Sequence, residues 1–244
     1  YLEKKNFDLA VKKFEEILLY HPKNSQILNL TAIAYHQLAN TNKALKYISK
    51  AIKHHPSEIG FHINHGNIHK DLKNYVFARK AYKNALAINE ASIDVLYNIG
   101  VLYTAQHKYT EAKNYYIKVL KIDSFQKYAL DNLGNAYFEL SEFENAINCY
   151  NQAIKIDNNF YQAHYNLSLV LLLKNSYKIG WEKYEFRLKK DDYNNNIPFL
   201  NYEYWDGSSL KNKNLLVYCE QGIGDSIQFA RYIKKIKKNN TKII

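Results

Sequence analysis

The sequence contains no methionine, only two cysteines, three prolines and eight glycines among its 244 residues. It has no run near the roughly 18 apolar residues that would cross a bilayer. It also has no leader pattern of a basic, then an apolar, then a small-residue segment. Cys149 and Cys219 each sit alone in an apolar stretch. That spacing excludes a disulfide framework or a C-x-x-C zinc site, and it suggests buried free thiols in a reducing compartment. A cytoplasmic protein without a bound metal is therefore expected. The chain opens on Tyr1, and with no methionine anywhere it reads as an internal piece of a longer protein. Acidic residues are also in deficit, which leaves a net charge of +11. The lysines are scattered singly, as in KKFEEIL and KALKYISK, and cluster only at Lys234, Lys235, Lys237 and Lys238. This reads as a solvated surface, with no nucleic-acid partner and no membrane insertion expected; basic-surface binding to either stays open as a third reading.

What the sequence does have is a repeat. Ala10, Ala44, Ala78, Ala112, Ala146 and Gly180 follow one another at steps of 34 residues without a gap. Four positions after each come Phe14, Ile48, Tyr82, Tyr116, Tyr150 and Tyr184. Twelve positions before, from the second copy on, come Ala32, Gly66, Gly100, Gly134 and Ser168. Each unit reads as helix, short turn, helix: DVLYNIGVLYTAQ, then HK, then YTEAKNYYIKVLKI, with apolar residues at i, i+3, i+4 and i+7. A small residue on each helix permits close approach, and the aromatics fill the wedge between helices. A pair like this cannot bury its face alone, so the copies must stack.

The period and the small–aromatic order resemble the tetratricopeptide repeat over residues 1–188. The resemblance implies a mainly α right-handed superhelix whose first copy begins midway and whose last copy is a cap, since Gly180 and Arg187 depart from the pattern. In that family the position just before the small residue of the first helix faces the inner groove. Here it is Asn64, Asn98, Asn132 and Asn166. Asparagine offers both a donor and an acceptor, so the row resembles the asparagine ladder of O-linked N-acetylglucosamine transferases and implies capture of an extended protein or peptide. The competing reading is polar filler in an Asn-rich chain. Tyr97 and Asp131, with Asn67, Asn135, Phe138 and Tyr165, are expected around the same groove. His62, His65 and His69 share one helix stripe, but their registers are those of large packing residues, so they are read as packed histidines with no metal.

After residue 188 the period stops. Residues 189–213 read as a linker, with Pro198 and Gly207. NLLVYCE then predicts a buried strand, QGIGD a tight turn, SIQFARYIKKIKK an amphipathic helix and TKII a second strand, which is the opening of a Rossmann-like α/β domain over residues 214–244. A dinucleotide loop is disfavoured because Ile227 replaces the third glycine of G-x-G-x-x-G and Asp225 follows the second. The words G-W-E-x-Y-E-x-R, W-D-G-S and L-L-V-x-x-E-Q-G-x-G-D-x-I-Q-F-x-R-Y resemble the junction of repeats with a glycosyltransferase-like domain similar to family-9 heptosyltransferases of the GT-B fold. That resemblance implies Asp225 as general base toward a sugar acceptor, with Glu220, Gln221, Gly222, Gly224 and Gln228 forming the acceptor-side loop. The bland alternative for Asp225 is a helix cap. A nucleotide-sugar donor is expected only for a full-length protein; this stretch is expected to carry no cofactor and no turnover. Trp181, Glu182, Tyr184, Glu185 and Arg187 are expected to pack the last helix pair rather than act. The function implied is a superhelix presenting a protein or glycan acceptor to that domain, and the alternative is a non-enzymatic scaffold.

Overall fold

A computed structural model describes residues 6–189, 205, 207–217, 227, 230–233 and 242–243. The chain divides into two compact units, residues 1–187 and 188–244. Among the described residues the first holds eleven helices, α1 (Phe7–Tyr20), α2 (Ser25–Gln37), α3 (Thr41–His54), α4 (Ile59–Asp71), α5 (Tyr75–Ile88), α6 (Ile93–Thr104), α7 (Tyr109–Ile122), α8 (Lys127–Glu139), α9 (Phe143–Ile156), α10 (Tyr161–Leu173) and α11 (Tyr177–Tyr184), and a 3-10 turn at Glu185–Lys189 follows. Helix α1 is the second helix of a copy; each later pair, α2 with α3 through α10 with α11, is one complete unit.

The turn inside each unit is short because its backbone reverses sharply. Ala39, Lys73, His107, Ser141 and Asn175 all have φ between 56° and 61°, again 34 residues apart. The amide just after each left-handed residue donates to the carbonyl five residues back, as Asn40 N–H does to Tyr35 C=O (2.8 Å), Asn74 to His69 (2.8 Å) and Glu142 to Tyr137 (2.8 Å). This satisfies carbonyls that a helix end leaves open. Glycine is the usual residue at such a left-handed position, and its absence from all five turns is why composition alone gives no sign of the geometry.

The small residues are explained by what faces them. A Cβ on Gly66, Gly100 or Gly134 would lie 2.4–2.5 Å from ring carbons of Tyr82, Tyr116 and Tyr150 respectively. All three tyrosines are essentially inaccessible to solvent. Each ring therefore occupies the volume that the glycine, sixteen residues earlier, leaves empty. In the second copy Ala32 and Ile48 hold the same registers, both fully buried in one cluster: a methyl on one side is matched by a smaller side chain on the other. The tyrosine hydroxyls are satisfied as well. Tyr82 donates to Asn67 Oδ1 (2.6 Å) and Tyr150 to Asn135 Oδ1 (2.8 Å); Val101 stands in that register beside Tyr116, whose hydroxyl instead meets Thr104 Oγ1 at 3.1 Å. Burial raises all three phenols well above the ordinary range. The last copy breaks the pairing. Ser168 replaces glycine, and Tyr184 lies half-buried against Tyr165 (5.6 Å), Trp181 (5.4 Å) and the Arg187 guanidinium (4.5 Å).

In the second unit, β1 (Asn214–Leu215) pairs in parallel with β2 (Lys242–Ile243), Asn214 opposite Lys242 and Leu215 opposite Ile243. The strand expected over NLLVYCE is present at Asn214–Leu215, residues 218–220 lie outside the described residues, and its expected burial is corrected at the two residues that follow the strand. The described part of it is two residues long, and Leu216 and Val217 beyond it are exposed. Two strands of two residues present no face large enough to hold those side chains from water. Among the described residues of this unit there is no continuous helix, so a Rossmann-like β-α unit is not shown.

Gly100→Ala should destabilise the array by about 1–3 kcal/mol, because the methyl cannot coexist with the Tyr116 ring. With Tyr116→Ile already in place, the same change should become neutral or stabilising by up to about 1 kcal/mol, as expected for glycine to alanine inside a helix. Urea-denaturation midpoints of the four proteins check this reversal of sign.

Candidate functional site

The first helices of successive units touch one another, α2 with α4, α4 with α6, α6 with α8 and α8 with α10, whereas the second helices α3, α5, α7 and α9 do not pack on one another to that extent. A stack bends toward the side where its elements approach more closely, so the first helices line the inner face. Asn64, Asn98, Asn132 and Asn166 lie on them.

Three of the four asparagines tie one unit to the previous one. Asn64 Nδ2 donates to Asn29 Oδ1 (2.8 Å), Asn132 Nδ2 to the Tyr97 hydroxyl (2.8 Å) and Asn166 Nδ2 to Asp131 Oδ1 (2.9 Å). Each partner is 35 residues back. The corresponding residue for Asn98 is Ile63, which offers no acceptor, and Asn98 Nδ2 turns to its own helix at Asp94 C=O (2.7 Å). Asn166 and Asp131 are buried, and Asn166 also accepts from Gln162 Nε2 (2.8 Å). Asn98 is thus the one member of the row with no bond to a neighbouring unit. The structure places Tyr97, Asp131 and the four asparagines together; what sequence reading missed is that they are partners of each other. The signal was present, since Asn29, Tyr97 and Asp131 repeat at one fixed register with Ile63 interrupting them. Burial holds the Tyr97 phenol above its ordinary range.

The histidines do not converge. His62 Nε2 donates to Pro56 C=O (2.7 Å), leaving His62 Nδ1 buried without a partner, while His65 Nε2 and His69 Nε2 meet at 3.1 Å and His69 stacks on Phe77 at 5.3 Å. One shared proton satisfies both Nε2 atoms. His69 Nδ1 is buried and unpartnered, so a cation between the rings would leave an N–H there with no acceptor. Among the described residues no group of three or more potential ligands is placed to hold a metal. Ser25 Oγ and His55 Nδ1, 2.9 Å apart beside an open pocket, look like a nucleophile and its base. They stand, however, in the registers where Lys127 and Asp157 form an ion pair at 2.6 Å, so the contact is the second unit's version of a recurring strut. A further cluster was not read from sequence. Glu15 Oε1 accepts from the hydroxyls of Tyr35 (2.6 Å) and Tyr47 (2.9 Å), and Lys43 Nζ reaches the Tyr35 oxygen at 2.9 Å. Burial opposes the Glu15 charge, yet the two hydroxyls and Lys43 outweigh it and lower the carboxyl.

Asp225, Glu220, Gln221, Gly222, Gly224 and Gln228 lie outside the described residues, as do Cys219 and the Lys234–Lys238 cluster. Within the first unit, Arg187 Nη1 donates to Tyr184 C=O (3.2 Å) and pairs with Glu185 (2.8 Å). Among the described residues no helix is long and apolar enough to cross a membrane.

Family models described as tetratricopeptide repeat match residues 1–59 and 93–125, and one described as TPR repeat matches residues 134–175. The helical unit is built of tetratricopeptide repeats. Among solved structures, the chain is similar to Pseudomonas aeruginosa PilF (TM-score 0.60, 19% identity, covering 76% of this chain and 78% of that one). It is also similar to the C-terminal part of a TPR repeat-containing protein from Cytophaga hutchinsonii (0.63, 17%, 75% and 74%) and to YrrB, described as a TPR protein with an unusual peptide-binding site (0.55, 15%, 72% and 91%). At such identities the likeness is one of fold. No curated protein matches the sequence.

Burial, with His69 and His62 adding to it, depresses the His65 imidazole from 6.5 to about 4. The unfolded ring takes up its proton near 6.5, so between these values the unfolded chain binds more protons and stability falls as pH drops. Denaturation midpoints should therefore decline from pH 7 toward pH 4. His65→Leu, matching Leu133 and Leu167 of later repeats, should flatten that slope; an unchanged slope would remove His65 as its source.

Proposed function

We propose that the repeats form a protein-binding superhelix whose inner face captures an extended peptide segment. The observation that carries this reading is the polar and aromatic lining of α4, α6, α8 and α10, fixed in place by its own inter-repeat hydrogen bonds. Because Asn64, Asn132 and Asn166 spend their donors on neighbouring helices, their role is to hold the groove rigid, and a rigid groove loses less freedom when a ligand binds. Asn98 is available to a ligand: its amide can leave the Asp94 carbonyl and grip a peptide backbone, with its Oδ1 accepting. The peptide-binding site of YrrB is a property of that protein; here it supports the general mode only.

A finer reading is that the superhelix presents a protein or glycan acceptor to a glycosyltransferase-like domain, with Asp225 as base. It is supported by the order of the G-W-E, W-D-G-S and E-Q-G-x-G-D words and by the parallel β1–β2 register, since parallel neighbours require a crossover connection such as a helix. A general base contributes about 10²–10⁴-fold. Asp225→Asn in the full-length protein should therefore abolish sugar transfer and spare partner binding; undiminished transfer would remove Asp225 from that role.

For the peptide groove, Asn98→Ala should weaken capture of a bound peptide about tenfold while leaving the denaturation midpoint unchanged. Asn166→Ala should instead lower stability by about 1–3 kcal/mol, because it takes a buried donor from Asp131. Peptide titration monitored by calorimetry separates the two; equal loss of stability in both variants would place Asn98 among the struts.

A further inference from the structure

The outer face is uneven along the array. Helices α3 (TNKALKYISKAIKH) and α5 (YVFARKAYKNALAI) contain seven lysines and arginines and no acidic residue. Lys46 and Lys53 on α3, and Lys80 and Lys83 on α5, lie opposite the buried alanine stripe of each helix and are exposed. Lys46 and Lys80 occupy one register, and Lys12 on α1 extends the row outward by one more repeat. Among the described residues none of Lys46, Lys53, Arg79, Lys80 and Lys83 has a carboxylate partner; on the later second helices the cations are fewer, Lys113 of α7 being paired with Glu142 while Lys118, Lys121 and Lys155 are not paired. A second observation is independent of charge. At the start of α5, Val76 and Phe77 are 68% and 59% exposed. The same two registers elsewhere carry Asp8 and Leu9, Asn42 and Lys43, Thr110 and Glu111, Glu144 and Asn145, or Lys178 and Ile179, so no other copy is apolar at both. The apolar pair is thus specific to the repeat where the unpaired cations concentrate.

We propose that the outer face of α3 and α5 docks peripherally on an anionic lipid surface, its lysines over the headgroup phosphates and Val76 and Phe77 at the headgroup–acyl boundary. A convex face with unpaired point charges and a small apolar edge fits a broad, weakly ordered array of phosphates. Nucleic acid fits it less well. The cations are lysines with the single exception of Arg79, and one face of the Phe77 ring is already covered by His69, which leaves little for base stacking. The location is separate from the inner groove, so a lipid-docked array keeps that groove open to its peptide.

The test is co-sedimentation of the whole chain with phosphatidylcholine vesicles, with and without about one third phosphatidylglycerol. Binding is expected only with phosphatidylglycerol, and it should weaken as salt rises. Lys46→Gln, Lys80→Gln and Lys83→Gln together should weaken it about a hundredfold, at about fivefold per lysine. Val76→Ser with Phe77→Ser should weaken the part that survives high salt. Lys118→Gln with Lys121→Gln on α7, which removes two exposed lysines elsewhere on the array, should leave binding nearly intact. All of these side chains are on the surface, and circular dichroism confirms that each variant is folded. Equal binding to neutral vesicles, equal loss in the α7 variant, or binding to a homopolymeric RNA without binding to vesicles would each overturn the proposal.

Discussion

The array depends on one contact: a glycine in the first helix of a repeat against the face of a tyrosine in the second. Without a Cβ at Gly66, Gly100 or Gly134 the two helices can close onto the ring, and the ring then fills the wedge with little void. Everything else follows from that spacing. The alanines at 44, 78, 112 and 146 bring the facing helix equally near, and the inner helices are left close enough for a single side chain to reach the preceding unit. The hydrogen bonds that run 35 residues back exist only at that distance.

This constraint also explains where the array ends. Ser168 carries a Cβ where the glycine belongs, and Tyr184 is no longer sealed between helices; it lies half-buried in a group with Trp181, Tyr165 and Arg187. Gly180 takes the place of the usual alanine because Leu172 comes within 2.8 Å of where its Cβ would stand. Helix α11 stops after eight residues. The irregular last copy is thus a consequence of two substitutions at contact positions rather than of a general loosening.

Much of this was legible in the sequence, and the reason is physical. A repeat multiplies each signal, so a rule such as glycine with tyrosine sixteen residues later, or alanine with isoleucine, can be read from internal comparison alone. What stayed hidden was of two kinds. The left-handed turn residues Ala39, Lys73, His107, Ser141 and Asn175 share a register but no chemistry, so the position is visible only in the backbone. The asparagine row was legible as a row but not as a set of struts, because a side chain's identity says what it can bond and not whether the partner is a ligand or the next helix. The run NLLVYCE shows the opposite case: Asn214 and Leu215 form the expected strand, but an apolar run without a repeat around it carries no information about what would cover it, and Leu216 and Val217 are exposed.

The two faces of the solenoid divide the work differently from what polarity alone suggests. The inner face is rich in polar groups, yet three of its four row asparagines are committed between repeats, so it offers shape, aromatic surface and the amide of Asn98, which is bonded only within its own helix. The outer face of α3 and α5 is the reverse: Lys46, Lys53, Arg79, Lys80 and Lys83 have no carboxylate partner among the described residues. Unpaired charge of one sign destabilises a compact state through self-repulsion and is relieved by anything anionic that binds only the folded form. On α7 the Lys113 charge is already paired with Glu142 and gains less from such a partner. The asymmetry of ion pairing along the array, rather than its net charge of +11, is what singles out one stretch of the convex face for electrostatic recognition.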